Sequence, residues 1–312
     1  MSVEFCGLTL AHPIINGSGT FDAIAARRAF GDALLQQFPF SAYVSKTITL
    51  EPRVGNPPPR LWETPAGLIN SIGLPNKGLH GYLIEDLPQL AEITTGAGDA
   101  NGHGTVPLIT NVMGATAEEL SRLVEACDER PEIAAIELNV SCPNVKTGLD
   151  IGADPVQLEQ VVRTVRAHTA KPLIVKLTPN TADVAACASA AEQGGADAVS
   201  LINTLRATAL APHRGRQHAS GVATMAGTDA GGHADLWLGG GSGGQSGPAI
   251  RAVALAQVAA VAARVSVPVI GMGGVQNSAH ARDLIDVGAT LVAVGTESFR
   301  DPAAGSRIAL RL

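Results

Sequence analysis

Short runs rich in Val, Ile and Leu recur along this chain. Each is followed by a polar or glycine-rich stretch and then by an Ala/Leu-rich segment with apolar residues at helical spacing. The runs that read as strands are His12–Asn16, Ala42–Lys46, Pro107–Val112, Ala135–Val140, Leu173–Leu177, Ala198–Ile202, Val267–Gly271 and Leu291–Gly295. Between them, the 3.6-residue period predicts helices over Ala23–Phe30, Leu79–Leu90, Ala117–Glu129, Pro155–His168, Thr181–Gln193, Pro248–Val265 and Ser278–Asp286. Thr116 precedes the helix at Ala117 and two glutamates fill its first turn, a helix-start signal. Strands that alternate with helices argue for a parallel sheet covered on both faces. The expected fold is therefore α/β, a (β/α)8 TIM barrel with inserted loops at its catalytic face, forming one domain over residues 1–312.

Such a barrel needs roughly 250 residues, and the chain has 312. The surplus falls in Thr47–Gly78, Thr94–Thr105 and Gly215–Gly244, the last with ten glycines in thirty residues. All three read as loops, with little core-forming material in the last.

Composition narrows the function. A net charge of −6 and 3% aromatic residues exclude a phosphate-tracking or base-stacking nucleic-acid surface. The four cysteines, Cys6, Cys127, Cys142 and Cys187, form no C-x-x-C pair, so no zinc site, cluster or other metal is expected. The apolar stretch Ala252–Met272 is interrupted by Gln257, Arg264 and Pro268, so no membrane span is expected. Without a signal-peptide pattern, the expected compartment is the cytosol.

Two glycine signatures close the chain. PVIGMGGV (268–275) and LVAVGT (291–296) each carry a strand into a loop. In barrels, the loops after strands seven and eight commonly cradle a phosphate. Gly273, Gly274 and Gly295 would let backbone N–H groups approach it without a Cβ in the way, and Thr296 adds a hydroxyl. Asn139-Val140-Ser141-Cys142-Pro143-Asn144 leaves the fourth strand toward the same rim. Asn70, Asn111, Asn139, Asn144 and Asn203 would line a pocket suited to a flat, amide-rich heterocycle. Lys46 and Lys176 join them at strand ends. Cys142, flanked by asparagines, reads as reactive, and the other three cysteines as inert.

SKTITLEPRVGNPPPR, ETPAGLINSIGLPN, ELNVSCPN, VKLTPN, LINTLRA, GQSGPAI, GMGGV and VAVGT occur in this order from residue 45 onward. With these motifs the chain resembles the class 1 dihydroorotate dehydrogenases, FMN-dependent enzymes of pyrimidine synthesis. RLWETPAG is more similar to subtype B than to subtype A. The resemblance implies that FMN is the cofactor and that dihydroorotate is oxidised to orotate. It also implies a homodimer whose catalytic chains pair with a separate FAD and iron–sulfur electron-transfer subunit. On the same ground, Cys142 is implied as the general base. Lys46, Asn70, Ser71, Ile72, Gly73, Leu74, Asn139, Asn203 and Thr204 are implied as substrate contacts. Ser18, Lys46, Thr47, Asn111, Asn139, Lys176, Ile202, Gly247, Gly273, Gly274, Gly295 and Thr296 are implied around the flavin.

The chain departs from the family pattern in three places. It has Gln245 within Gly244–Gly247 where Leu is usual, Lys77 after Asn76 where Pro is common, and a long 215–244 segment. Three other readings remain open on the residues alone: a related FMN-dependent dihydropyrimidine oxidoreductase, a catalytically silent FMN-binding barrel, and a phosphosugar-binding barrel without flavin. Lys46 favours a substrate that carries a carboxylate.

Overall fold

The computed structural model describes residues 2–97, 105–140, 151–211 and 235–312. Eight parallel strands form the centre: β1 (Ile14–Asn16), β2 (Tyr43–Val44), β3 (Leu108–Val112), β4 (Ala135–Asn139), β5 (Leu173–Lys176), β6 (Ala198–Leu201), β7 (Val269–Met272) and β8 (Leu291–Val294). They pair in the order β1–β8–β7–β6–β5–β4–β3–β2. Each of β3 to β8 is followed by one helix: α3 (Ala117–Asp128), α4 (Pro155–Arg166), α5 (Val184–Gln193), α6 (Arg251–Ala262), α7 (Ser278–Asp286) and α8 (Ala304–Ala309); α1 (Ala23–Phe30) and α2 (Leu87–Gly96) follow β1 and β2. This is the expected barrel.

The strands are buried along both faces, which is why the sequence shows solid apolar runs there. Ile15, Ile109, Ala135, Ile174, Ala198, Ile270 and Leu291 fill the interior. A two-stranded hairpin, Val3–Phe5 with Leu8–Leu10, sets Phe5 and Leu10 into that same cluster and plugs the amino-terminal end. Helix starts are fixed locally. Asp22, Thr116, Asp154, Asp183 and Asn277 each accept a backbone N–H of the first turn that follows.

Between β1 and β2 the barrel closes by a side chain. The Asn16 amide donates to the Val44 carbonyl at 2.8 Å and accepts the Val44 N–H at 2.8 Å. Backbone pairing there consists of Ser41 N–H to the Ile14 carbonyl at 3.0 Å. Asn16 is fully buried and stands in for a missing rung of the ladder.

Two expectations need correction. Thr94–Gly96 is not loop but the last turn of α2, and the helical path runs from Gly78 to Gly96 with one wide π turn at Tyr82–Asp86. Pro88 directly follows the π turn, so the widened turn ahead of it takes up the missing N–H and the helix does not end there. Residues 98–104 of that segment lie outside the described residues.

The second correction concerns the other two insertions. They build a four-stranded antiparallel rim sheet, ordered Leu205–Ala207, Gly243–Ser246, Gly67–Asn70 and Leu61–Thr64. The glycine-rich segment adds its few apolar residues to a small core under this sheet. Trp237 packs edge-on to Trp62 at 5.4 Å between centroids, and Leu238 is buried with Ile69. Residues 215–234 lie outside the described residues. Lys77 forms exposed ion pairs with Glu85 and Asp86, and Gln245 bonds Thr64 and the Ser246 carbonyl. Both departures from the family pattern are thus absorbed by local contacts.

Candidate active site

The carboxyl ends of the strands and the rim sheet enclose a cavity of about 490 Å³, within the usual range for a small-molecule site. From the barrel come Gly17–Thr20 after β1, Lys46 and Thr47 after β2, Asn139 of β4 and Lys176 of β5. Ile202–Thr204 follow β6, Gly273–Gln276 follow β7, and Gly295–Glu297 follow β8. The rim contributes Leu68, Asn70, Ile72–Leu74, Ser246 and Gly247.

Most of the residues singled out in the sequence therefore meet in one cavity. Ser18 Oγ donates to the Ser45 carbonyl at 2.8 Å and lies 3.3 Å from Thr47 Oγ1, which accepts from Asn139 Nδ2 at 3.4 Å. Asn70 Nδ2 donates to the Gly244 carbonyl at 3.2 Å, joining two rim strands. The Thr204 N–H donates to Asn203 Oδ1 at 2.9 Å, and Asn180 holds the loop by accepting from Arg206 N–H and donating to the Thr204 carbonyl. Leu74 has a positive φ of 55°, an uncommon conformation for a residue with a side chain. Asn76 secures that turn by donating to the Leu74 carbonyl at 2.9 Å.

Two predicted residues are placed behind the cavity wall, and two others lie outside the described residues. Ser71 is fully buried behind the wall, where its hydroxyl donates to the Ser242 carbonyl at 2.8 Å and accepts from Asn56. Asn111 is also fully buried and pairs with Glu137, two residues below the cavity-lining Asn139. Cys142, with Asn144, lies outside the described residues. The chain that leads to it is well placed: Asn139 lines the cavity, and Gly152 returns against the Val140 carbonyl so closely that a Cβ would clash with it.

The electrostatics favour an anionic ligand. Lys46 faces the cavity and Lys176, 6% exposed, reaches it from β5. Among the described residues neither ammonium group has a carboxylate partner, and for the buried Lys176 that is costly. Burial pushes the other thiols away from ionisation: Cys127 up to about 12, Cys6 up to about 11 with Asp197 adding to the shift, and Cys187 upward as well. No group of three or more His, Cys, Asp or Glu able to hold a metal occurs among the described residues, and none of their helices is long and apolar enough to cross a membrane.

The glycines of the loops after β7 and β8 also answer to packing. A Cβ on Gly274 would meet Arg251 Cβ at 2.7 Å, and on Gly273 it would meet Ala254 Cβ at 2.7 Å. Both glycines also have positive φ. They let the loop turn and press against α6 while it lines the cavity. At Gly295 a Cβ would meet only Thr20 Cγ2 at 3.7 Å, so packing leaves room there. His280 accepts the Gln276 N–H at 3.4 Å. Burial and the nearby Arg251 lower its pKa, while the Gly274 backbone and Glu297 oppose that shift. Arg307 braces the far side by bonding Glu297, Asp301 and the Gln276 carbonyl.

The sequence reading missed several wall residues. Gly17-Ser18-Gly19-Thr20 is a strand-to-loop glycine pattern as legible as GMGGV, yet only Ser18 was singled out. Met272, Gln276 and Glu297 adjoin motifs that were read. Leu61, Phe299 and Arg300 reach the cavity only because the rim sheet folds over it, and no local pattern marks them.

Comparison with known proteins adds an independent line. The sequence pattern of the family described as "Dihydroorotate dehydrogenase" matches residues 1–312. The chain is similar to the protein named dihydroorotate dehydrogenase B (NAD(+)), catalytic subunit, of Citrifermentans bemidjiense, 41% identical over 310 residues, 99% of this chain and 90% of that one. Proteins of the same name from Geotalea daltonii and Desulforudis audaxviator are each 40% identical, covering 99% and 100% of this chain and 90% and 91% of theirs. Matched over its full length, and with the motif residues of its described part gathered at one barrel mouth, the chain belongs to the dihydroorotate dehydrogenase family.

Proposed function

We propose that this chain is the catalytic subunit of an FMN-dependent dihydroorotate dehydrogenase that converts (S)-dihydroorotate to orotate in pyrimidine biosynthesis. The observation that carries the reading is the pair of ammonium groups, Lys46 and Lys176, without a carboxylate partner among the described residues, in a barrel-mouth cavity rimmed by amides and glycine loops. A carboxylated pyrimidine needs a cation where uracil does not, which favours dihydroorotate over an uncharged dihydropyrimidine.

The residues present fit FMN. Gly295 leaves room for a phosphate, Thr296 supplies a hydroxyl beside Ser246 at 2.9 Å, and the Gly273–Gly274 turn is held open by its packing on α6. Lys176 would stand by the flavin ring, where a positive charge favours the anionic reduced form. The flavin supplies a hydride acceptor. Dihydroorotate loses a proton from C5 and a hydride from C6, giving orotate and reduced flavin. Lys46 holds the substrate carboxylate, and Asn70, Asn139, Asn203 and Thr204 orient the ring. Cys142 takes the C5 proton as thiolate. It follows Asn139 by three residues, a reach of at most about 11 Å of extended chain. The described thiols are poor rivals, because burial raises the pKa of each.

Relatives named as NAD(+) enzymes and as catalytic subunits support a separate subunit that passes electrons to NAD; we propose further that this subunit carries FAD and an iron–sulfur cluster, and that the catalytic core is a cytoplasmic homodimer in which residues 1–312 form one domain. The test is stopped-flow bleaching of the bound flavin by dihydroorotate. Wild-type protein should be yellow and bleach. Cys142→Ala should keep its flavin and bleach about 10²–10⁴-fold more slowly. A colourless wild-type protein, or a Cys142→Ala variant that bleaches at the wild-type rate, would overturn the reading.

A further inference from the structure

The rim loop that lines the cavity holds an unfavourable backbone turn. Gly73 and Leu74 both have positive φ, 74° and 55°. Glycine takes that conformation freely, whereas a residue with a Cβ does so at a cost. Leu74 lines the cavity and packs on the buried Met113, so its backbone must be held where its side chain is needed.

One side chain ties that turn to the barrel. Asn76 Nδ2 donates to the Leu74 carbonyl at 2.9 Å and to Thr49 Oγ1 at 2.9 Å. Its Oδ1 accepts from Thr49 N–H at 3.2 Å and from Gly78 N–H at 2.8 Å. Backbone N–H groups only donate, and the Thr49 hydroxyl gives its own hydrogen to the Glu51 carbonyl at 2.7 Å, so the amide has a single orientation. The Asn76 backbone is fixed as well, because it exchanges two hydrogen bonds with Arg53 at 2.9 and 3.0 Å. Thr49 belongs to the barrel wall. It is buried, and the preceding Ile48 donates to the Asn111 carbonyl at 3.0 Å and accepts from Met113 N–H at 2.9 Å. Thr49 follows Lys46 by three residues. The Asn76 amide therefore links the turn at Leu74 to the stretch of chain that carries Lys46.

We infer that Asn76 is a positioning residue for the pyrimidine: it holds the turn so that the Leu74 side chain meets the ring at a fixed distance from Lys46, which meets the carboxylate. The inference rests on the dihydroorotate reading and adds to it a residue outside the cavity wall. Asn76 does not line the cavity; it acts only through Leu74 and Thr49.

The test measures orotate affinity on the flavin-loaded protein, and FMN affinity by titrating flavin into apoprotein, for wild type, Asn76→Asp, Leu74→Gly and the Leu74→Gly/Asn76→Asp double variant. Asn76→Asp keeps the size and the acceptor toward Thr49 and Gly78, but sets a carboxylate oxygen against the Leu74 carbonyl. Orotate should bind about three- to tenfold more weakly, the worth of one hydrogen bond, while FMN affinity stays at the wild-type value. Leu74→Gly removes the side chain that the turn aims and takes the positive φ without strain. It should itself weaken orotate, and adding Asn76→Asp should weaken it little further, because both changes remove the same contact. The cycle also separates position from charge, since a carboxylate that merely repelled orotate would weaken binding equally in both backgrounds.

If Asn76→Asp does not fold, Thr49→Val makes the same test. It removes the hydroxyl that accepts the second amide hydrogen and should give a smaller loss of orotate affinity that vanishes in the Leu74→Gly background. Three results would each overturn the inference alone: unchanged orotate affinity in Asn76→Asp (or in Thr49→Val where that replaces it), losses that add in the double variant, or an FMN affinity that falls as far as the orotate affinity. A wild-type chain that binds flavin but no orotate, or no flavin at all, would overturn the parent reading with it.

Discussion

Replacing Asn16 with Ala removes the side chain that closes the barrel between β1 and β2. Two backbone groups of Val44, one N–H and one carbonyl, then lose their partners at 2.8 Å. Val44 is 3% exposed, so water does not readily replace them. Each buried unsatisfied group costs about 1–3 kcal/mol, giving about 4 kcal/mol for the pair. Unfolding entropy of about 2.1 cal/mol/K per residue over 312 residues makes that a fall in Tm of about 6 °C. Asn16→Asp separates bonding from volume. It has the same size and still accepts from Val44 N–H, but it sets carboxylate oxygen against the Val44 and Gly17 carbonyls that the amide now serves. It should fall by several degrees too. Ser41→Ala is the control, because the Ser41 N–H to Ile14 bond at 3.0 Å survives it; a loss near 1 kcal/mol should move Tm by less than about 2 °C. The assay is thermal unfolding followed by circular dichroism, with bound flavin measured alongside. Gly17–Thr20, which lines the cavity, follows Asn16 directly, so flavin retention should decline with Tm. An Asn16→Ala variant that melts with Ser41→Ala, or a fully stable Asn16→Asp, would refute the seam argument.

The glycine loops give a paired prediction. Gly274→Ala meets Arg251 Cβ at 2.7 Å at a positive φ, so it should lower Tm and release flavin together, whereas Gly295→Ala meets only Thr20 Cγ2 at 3.7 Å and should weaken flavin binding with a much smaller change in Tm. Lys176→Met removes a buried charge that has no carboxylate partner among the described residues, so the apoprotein should melt no lower than wild type while the flavin potential falls and bleaching by dihydroorotate slows; an unchanged potential would count against the flavin role. Burial holds Cys127 protonated up to about pH 12 against an ordinary 9.0, so its contribution is intact below about pH 9 and lost as pH rises toward 12. In urea titrations over that range, Cys127→Ala should start less stable at neutral pH, from the cavity it leaves, and lose stability less steeply as pH rises.

Local sequence determined the barrel. Each β-strand and its following helix announce themselves through the period of their own apolar residues, and capping residues such as Thr116 and Asp154 mark helix starts within three positions. The site's glycines, asparagines and lysines were legible for the same reason, because they sit at strand ends where the barrel must place them at one mouth. Tertiary structure alone decided three things. The rim sheet pairs Asn70 with Gly244 across 174 residues, and its strand Gly243–Ser246 has no apolar alternation to reveal it. Asn16 closes the barrel through its side chain, a role no periodicity encodes. Glu137, set among the apolar residues of β4, gains its meaning only from Asn111 and Ser200 on other strands. In each case the partner lies far away in the chain. Periodicity reports which face of an element is buried, not what the buried face will meet.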